Sequence, residues 1–200
     1  LSLLIAASLY LFLSGLEDSP SIWKWYSGYT CLALGVLTKG LIALIFPAGT
    51  IFIYLLITGE WRRWREFRLL SGLLLFLAIA APWHILAGLR NTNGQNGHGF
   101  FWFYFVNEHF LRFVGKRYPR DYNKLPWALY WSLHLVWLFP WSLYLPAAIR
   151  AALDFRRDKA NFQDRTRILF WILAGLVLVV FAISTNQEYY TFPAYLPLLI

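Results

Sequence analysis

The apolar residues of this chain fall into long runs broken by short, charge-dense segments. A helix that crosses a bilayer needs roughly 20 mainly apolar residues, and uncharged windows of about that length stand at 69–89, 128–149 and 168–184, with another apolar stretch at 1–16. Residues 25–57 are too long for one ordinary span and short for two, and "LTKG" (37–40) lies in their middle. Two short spans meeting at Thr38 and Lys39 would place the lysine at an interface. One long tilted helix would instead bury it in the hydrocarbon, at a cost of a few kcal/mol unless it is paired. The hairpin is the better reading. Pro47, Pro82, Pro140 and Pro146 fall inside the runs and each removes a helical hydrogen bond, so kinks are expected. The pattern predicts an all-α polytopic transmembrane bundle of five or six complete or partial spans, with a long loop at about 88–128 that carries interfacial helices.

Composition supports this picture. Hydrophobic residues make up 59% of the chain and charged residues 14%, against about 25% charged in a soluble domain. The formal net charge of +8 does not point to nucleic acid, because the cations sit in loops between apolar spans. Arg62, Arg63, Arg65 and Arg68 form one cluster; Arg150, Arg156, Arg157, Lys159, Arg165 and Arg167 form another. Short Lys/Arg-rich loops stay cytoplasmic, which puts Lys39, the long loop and "STNQEYY" (184–190) together on the extracytoplasmic side. Cys31 is the single cysteine, so no internal disulfide forms and no Cys/His zinc spacing is present. There is no Met, both ends lie in apolar runs, and no charged leader precedes the first of them. The chain therefore reads as an internal piece of a longer protein.

Ionisable groups concentrate in "NEHFLRF" (107–113), just after the aromatic run "GFFWFYFV". Together these describe an amphipathic helix lying in the membrane interface. Glu108 and Arg112 stand four apart on one face, and as a simple surface pair they would contribute about 0.2–0.5 kcal/mol. At headgroup depth the same arginine suits a lipid-linked phosphate, since its planar fork matches phosphate oxygens and its charge does not titrate away. Lys39 supplies a second cation from the facing turn. His109 has the chemistry of a proton carrier, a metal ligand or an ordinary hydrogen-bonding group, and the sequence leaves these open. Glu108 and His109, being adjacent, point in different directions. Gln187, Glu188, Tyr189 and Tyr190 combine polar groups with aromatic faces, as sugar or headgroup contacts do; an interfacial aromatic girdle is the plainer alternative.

The order "LTKG…P" (37–47), "APWH" (81–84), "FFWFYFVNEHFLRF" (100–113), "YNKLPW" (122–127), "FPWS" (139–142) and "STNQEYYTFPAYLP" (184–197) resembles the bacterial membrane glycosyltransferases related to protein O-mannosyltransferases and to the aminoarabinose transferase of lipid A, within the C-type superfamily. The resemblance implies that residues 1–200 are part of a single transmembrane glycosyltransferase domain of the bacterial inner membrane. It implies transfer of a sugar from a polyprenyl-phosphate donor to a lipid or protein acceptor on the extracytoplasmic face, with the catalytic carboxylate upstream of these residues. By motif, Lys39 and Arg112 fall to the donor phosphate and Glu108 and His109 to the "EH" pair near the site; Gln187 and Glu188 replace a Lys that relatives often carry, which leaves sugar and acceptor open, and with Tyr190 they are sugar or acceptor contacts by their chemistry. Some relatives carry a further His where this chain has Asn107, so a divalent metal stays open. A transporter or flippase for a lipid-linked anion is the alternative function; the absence of an internal repeat and the interfacial placement of the charges speak for the enzyme.

Overall fold

A backbone removed from water has to satisfy its own hydrogen bonds, and each apolar run of this chain does so as a helix. The computed structural model describes residues 1–17, 21–93, 97–119, 125–153, 161–184 and 188–198, with backbone alone at 188, 189 and 196. The helices are α1 (Ser2–Glu17), α2 (Ile22–Lys39), α3 (Ile42–Ile57), α4 (Leu69–Arg90), α5 (Trp127–Trp137), α6 (Leu145–Leu153), α7 (Phe162–Ile183) and α8 (Phe192–Leu198). Short 3₁₀ segments cover Trp61–Phe67, Trp141–Tyr144 and Glu188–Thr191, and a π-helix covers Trp102–Leu111.

Ile5, Leu9, Phe12 and Leu13 of α1 are buried against Leu32 and Val36 of α2, Phe46 of α3, and Leu173 and Val177 of α7. Close approach depends on small residues, as in membrane helix packing generally. At Gly72 of α4, a Cβ would come within 2.0 Å of the Tyr29 ring on α2. Tyr29 then donates its hydroxyl to the Phe67 carbonyl at 2.9 Å, tying α2 to the segment that precedes α4. Leu70, Leu73, Leu74 and Leu77 of α4 are left exposed, a face suited to lipid.

Among the described residues, α4 and α7 are long and apolar enough to cross a membrane. α1 and α3 are apolar but have 16 residues each, about 24 Å at 1.5 Å per residue, short of a hydrocarbon core of roughly 30 Å. The window 128–149, expected to be one of the clearest spans, is not a single helix. α5 and the following Trp141–Leu153 stretch meet at 103°. Pro140 stands at that break, where it has no N–H to continue α5 and its ring obstructs the preceding turn. The hairpin at 37–40 is present: α2 ends at Lys39 and α3 starts at Ile42, so the lysine occupies a helix end rather than a helix middle.

Two groups of charged residues stand at opposite ends of the bundle. At one end Arg165 of α7 reaches Glu17 at 2.8 Å and Glu60 at 3.0 Å, while Arg63 pairs with Glu60 at 3.2 Å and Glu66 at 2.9 Å. The Lys39 turn, the π-helix and Tyr190 are at the other. Two arginines, Arg63 and Arg165, bind carboxylates that close the ends of α1 and α3.

Glu60 has a side chain only 5% exposed. Burial pushes its carboxyl up, but hydrogen bonds and charge from Arg165 and Arg63 outweigh this and hold it below the usual carboxylate range. A depressed folded-state value means that the unfolded chain binds more protons, so stability rises with pH. The contribution is fully present above the ordinary carboxylate pKa of about 4.3 and is lost as pH falls through the lower folded value. Glu60→Gln should destabilise the bundle by about 1–3 kcal/mol at pH 7 and flatten this acid-side loss, as read from thermal unfolding in detergent between neutral and acidic pH. Parallel pH profiles for the two proteins would contradict the assignment.

Candidate functional site

The site is assembled on the turn between α2 and α3. Gly40 has φ +100°, a region that favours glycine, and its N–H caps α2 by donating to the Val36 carbonyl at 2.8 Å. A Cβ at this position would lie 3.1 Å from both the His109 Nε2 and the Tyr104 hydroxyl oxygen. Conformation and space thus both require glycine in "LTKG".

The turn directs the Leu41 N–H at His109 Nε2, 3.1 Å away. A backbone N–H can only donate, so Nε2 carries the lone pair. Nδ1 faces the Tyr104 carbonyl, which can only accept, so Nδ1 carries the proton. His109 is thereby held as one neutral tautomer that locks the π-helix onto the hairpin. With both nitrogens engaged inside the protein, no lone pair is directed at a metal. Among the described residues no group of three His, Cys, Asp or Glu side chains is placed to hold an ion.

Glu108 points away from His109, as expected for neighbours on a helix. Its Oε2 accepts from Arg112 Nη1 at 2.8 Å, and its Oε1 accepts from Arg117 Nε at 2.7 Å. The pair is no ordinary surface bridge, for one carboxylate serves two guanidinium groups whose side chains are 25% and 17% exposed. Arg112 donates through Nη2 to the Tyr190 hydroxyl. Its guanidinium carbon also lies 5.2 Å from the Tyr190 ring centroid, and Lys39 Nζ lies 4.9 Å from the same centroid. Phe181 of α7 stacks on Tyr190 at 5.4 Å and fixes the ring. Cations over an aromatic face gain about 0.5–2 kcal/mol depending on desolvation.

Three segments far apart in sequence therefore bring Lys39, Arg112 and Tyr190 together, with Glu108 and His109 beside them. Gln187 lies outside the described residues, and of Glu188 only the backbone is described. A cleft of about 250 Å³ opens beside the cluster, lined by Lys39, Tyr190, Ile42, Phe181, Phe192 and Pro193 among others. One wall offers a cation and a hydroxyl, and the rest is largely apolar. This suits a molecule with an anionic head and a hydrocarbon body.

Sequence reasoning missed Asn107 and Arg117 as structural parts of the site. Asn107, fully buried, donates Nδ2–H to the Tyr118 carbonyl at 2.7 Å and accepts the Tyr118 N–H at 2.9 Å. That pair of hydrogen bonds folds residues 114–119 back over the π-helix and carries Arg117 to Glu108. An amide placed at the end of an aromatic run was the available signal. Tyr104 was passed over as one aromatic among several, yet its hydroxyl is buried at the turn with no hydrogen-bond partner among the described residues.

Residues 1–86 match the family model of dolichyl-phosphate-mannose-protein mannosyltransferases. The chain is 32% identical to an undecaprenyl phosphate-alpha-4-amino-4-deoxy-L-arabinose arabinosyl transferase of Pseudomonas aeruginosa, over 86% of this chain and 28% of that protein. It is 30% identical to a transferase of the same description from Proteus mirabilis, over 100% of this chain and 34% of that protein. The chain belongs to this family of membrane glycosyltransferases. It is also 34% identical to an uncharacterized protein of Aquifex aeolicus, over 84% of this chain and 34% of that one. The fold is similar to the crystal structure of ArnT from Cupriavidus metallidurans bound to undecaprenyl phosphate, with a TM-score of 0.76, 22% identity, and coverage of 99% of this chain and 34% of that chain. The apo ArnT structure gives a TM-score of 0.74 at 23% identity, covering 99% of this chain and 33% of that one. The chain thus spans about a third of the length of the curated relatives it matches.

Gly40→Ala should be disproportionately harmful for so small a change. Strain at positive φ costs about 1 kcal/mol, and crowding of His109 should loosen the π-helix on the hairpin. Thermal unfolding of Gly40→Ala beside Gly97→Ala, whose glycine also has positive φ but has nothing within 4 Å of a built Cβ, separates the two effects. Equal losses would mean that the contact with His109 contributes nothing.

Proposed function

We propose that residues 1–200 form part of a single transmembrane domain that transfers a sugar from a polyprenyl-phosphate carrier to a lipid or protein acceptor, at the extracytoplasmic face of a bacterial inner membrane. The observation that carries this reading is the meeting of Lys39 and Arg112 on Tyr190, beside an otherwise apolar cleft. A polyprenyl phosphate has the matching form: a charged head at headgroup depth and a chain in lipid. Both Pseudomonas and Proteus relatives are named for an undecaprenyl-phosphate-linked aminoarabinose, and one structure of similar fold contains undecaprenyl phosphate.

In this reading Arg112 and Lys39 bind the donor phosphate and the Tyr190 hydroxyl orients the Arg112 fork. Glu108 holds that fork from its other side, and His109 fixes the helix on which both stand. During transfer the bond between the anomeric carbon and the phosphate oxygen breaks, and its electron pair leaves with the phosphate. The acceptor heteroatom forms the new bond and gives up its proton to a base. Positive groups fixed before the reaction stabilise the charge that develops on the leaving phosphate. Glu108 is committed to two arginines and both His109 nitrogens are engaged, so neither is assigned as that base. Gln187 and Glu188 remain proposed sugar or acceptor contacts on the strength of their position beside Tyr190 in the chain.

The test is binding of undecaprenyl phosphate to the purified protein in lipid nanodiscs. Arg112→Ala should weaken it by about 10–100-fold, in keeping with loss of a charge-assisted pair worth roughly 1.5–3 kcal/mol, with the protein still folded. Lys39→Ala should weaken it less, since a single compact ammonium gives up no bidentate contact. Undiminished binding by Arg112→Ala would leave the arginine as a plain ion-pair partner and remove the proposed site.

A further inference from the structure

We infer that Arg117 is a positioning residue that offsets the charge of Glu108, so that Glu108 can aim Arg112 without neutralising the anion site. The inference rests on the reading of Lys39 and Arg112 as the phosphate site.

A carboxylate 2.8 Å from Arg112 Nη1 solves one problem and creates another. It fixes a long side chain that would otherwise sample many rotamers, which is what bidentate recognition needs. It also places a negative charge next to the position a phosphate would take. The transfer step makes this worse. The donor is a phosphodiester with one negative charge, whereas the departing polyprenyl phosphate is a monoester that approaches two at neutral pH. An Arg112 whose charge is cancelled by Glu108 would give that growing charge little support.

Arg117 removes the conflict. Its Nε and Nη2 both reach Glu108 Oε1 at 2.7 Å, and Nη1 donates to the Pro119 carbonyl at 2.9 Å. All three nitrogens thus face acceptors of the protein itself, which marks the residue as a support for Glu108 and not as a ligand of the phosphate. Its place is secured by the Asn107–Tyr118 clamp beside it. Arg117 cancels the charge of Glu108, so the two together add none to the site; without Arg117 the site is one positive charge poorer. Each of the side chains in the Glu108 triad is at most 25% exposed, so solvent screens the carboxylate less than it would at an open surface.

A double substitution tests this charge balance. Undecaprenyl phosphate is titrated into nanodiscs holding the wild type, Arg117→Gln, Glu108→Gln and the Glu108→Gln/Arg117→Gln pair, with the uncharged polyprenol as a control ligand. Arg117→Gln should bind the phosphate about tenfold more weakly, equivalent to roughly 1.4 kcal/mol, with polyprenol binding unchanged. The double variant restores the net charge of the wild type and keeps a neutral acceptor for Arg112, so it should recover to within about threefold of the wild type. Arg117→Lys should retain most of the affinity. A double variant no tighter than Arg117→Gln would overturn the inference and assign Arg117 to structure alone. The inference also fails if Arg117→Gln binds like the wild type, or if polyprenol and phosphate binding fall together. Undiminished phosphate binding by Arg112→Ala, measured in parallel, would instead strike down the site on which the inference stands.

Discussion

The hydrogen bond from the Leu41 N–H to His109 Nε2 is the constraint on which the rest of the site depends. Lys39 is carried by the hairpin and Arg112 by the turn that caps the π-helix, and nothing in sequence proximity brings the two together. The bond fixes one against the other. It exists because Gly40 turns the chain through a positive φ and leaves room for the imidazole, and because the Tyr104 carbonyl holds the other nitrogen protonated. An imidazole suits this joint because one ring can donate on one side and accept on the other. A carboxylate in its place could not donate to Tyr104, and a lysine could not accept from Leu41.

The ends of the bundle use charge in opposite ways. Around Glu60 the groups are matched, cation against carboxylate, and the network closes the ends of α1, α3 and α7. Around Tyr190 two cations, Lys39 and Arg112, converge on one aromatic ring, and their mutual repulsion opposes that approach. Bringing like charges together costs stability that other contacts must offset. Departures from local consistency are expected at functional sites, where the rest of the fold compensates for them.

Much of the architecture was legible in composition and run length, because membrane spans are set by a physical thickness that a sequence must match. The hairpin could be read from one lysine, whose burial in hydrocarbon would have been too costly. The break within 128–149 was only half legible: Pro140 announced a kink, but a 103° turn depends on how α5 and the following segment pack. Of the site, Lys39, Arg112 and Tyr190 could be named because a cation or a phenol in an apolar chain demands a reason. Asn107 offered only an amide at the end of an aromatic run, and Arg117 no signal at all, because their role is a pairing across loop residues 114–119, and such pairing leaves no periodic trace. The two nitrogens of His109 were illegible for the same reason; only the neighbours that face them decide which carries the proton.

The π-helical geometry of Trp102–Leu111 links these readings. π-helices are rare and concentrate at functional sites, and here the wider turn has a visible use. His109 and Glu108, one residue apart, must serve different partners, the hairpin on one side and two arginines on the other. The wider register shows in the Arg112 N–H, which donates to the Asn107 carbonyl five residues back. It aims the imidazole at Leu41 while Glu108 and Arg112 still meet at 2.8 Å. The aromatic run before Asn107 then acts as ballast rather than chemistry. Phe101 packs closely against Gly88 and Tyr104 against His84, both on α4, so the helix that carries the charged groups is held by apolar contacts to a membrane span. The greasy stretch and the ionisable stretch are two halves of one device, in which the first fixes the depth and angle at which the second is presented.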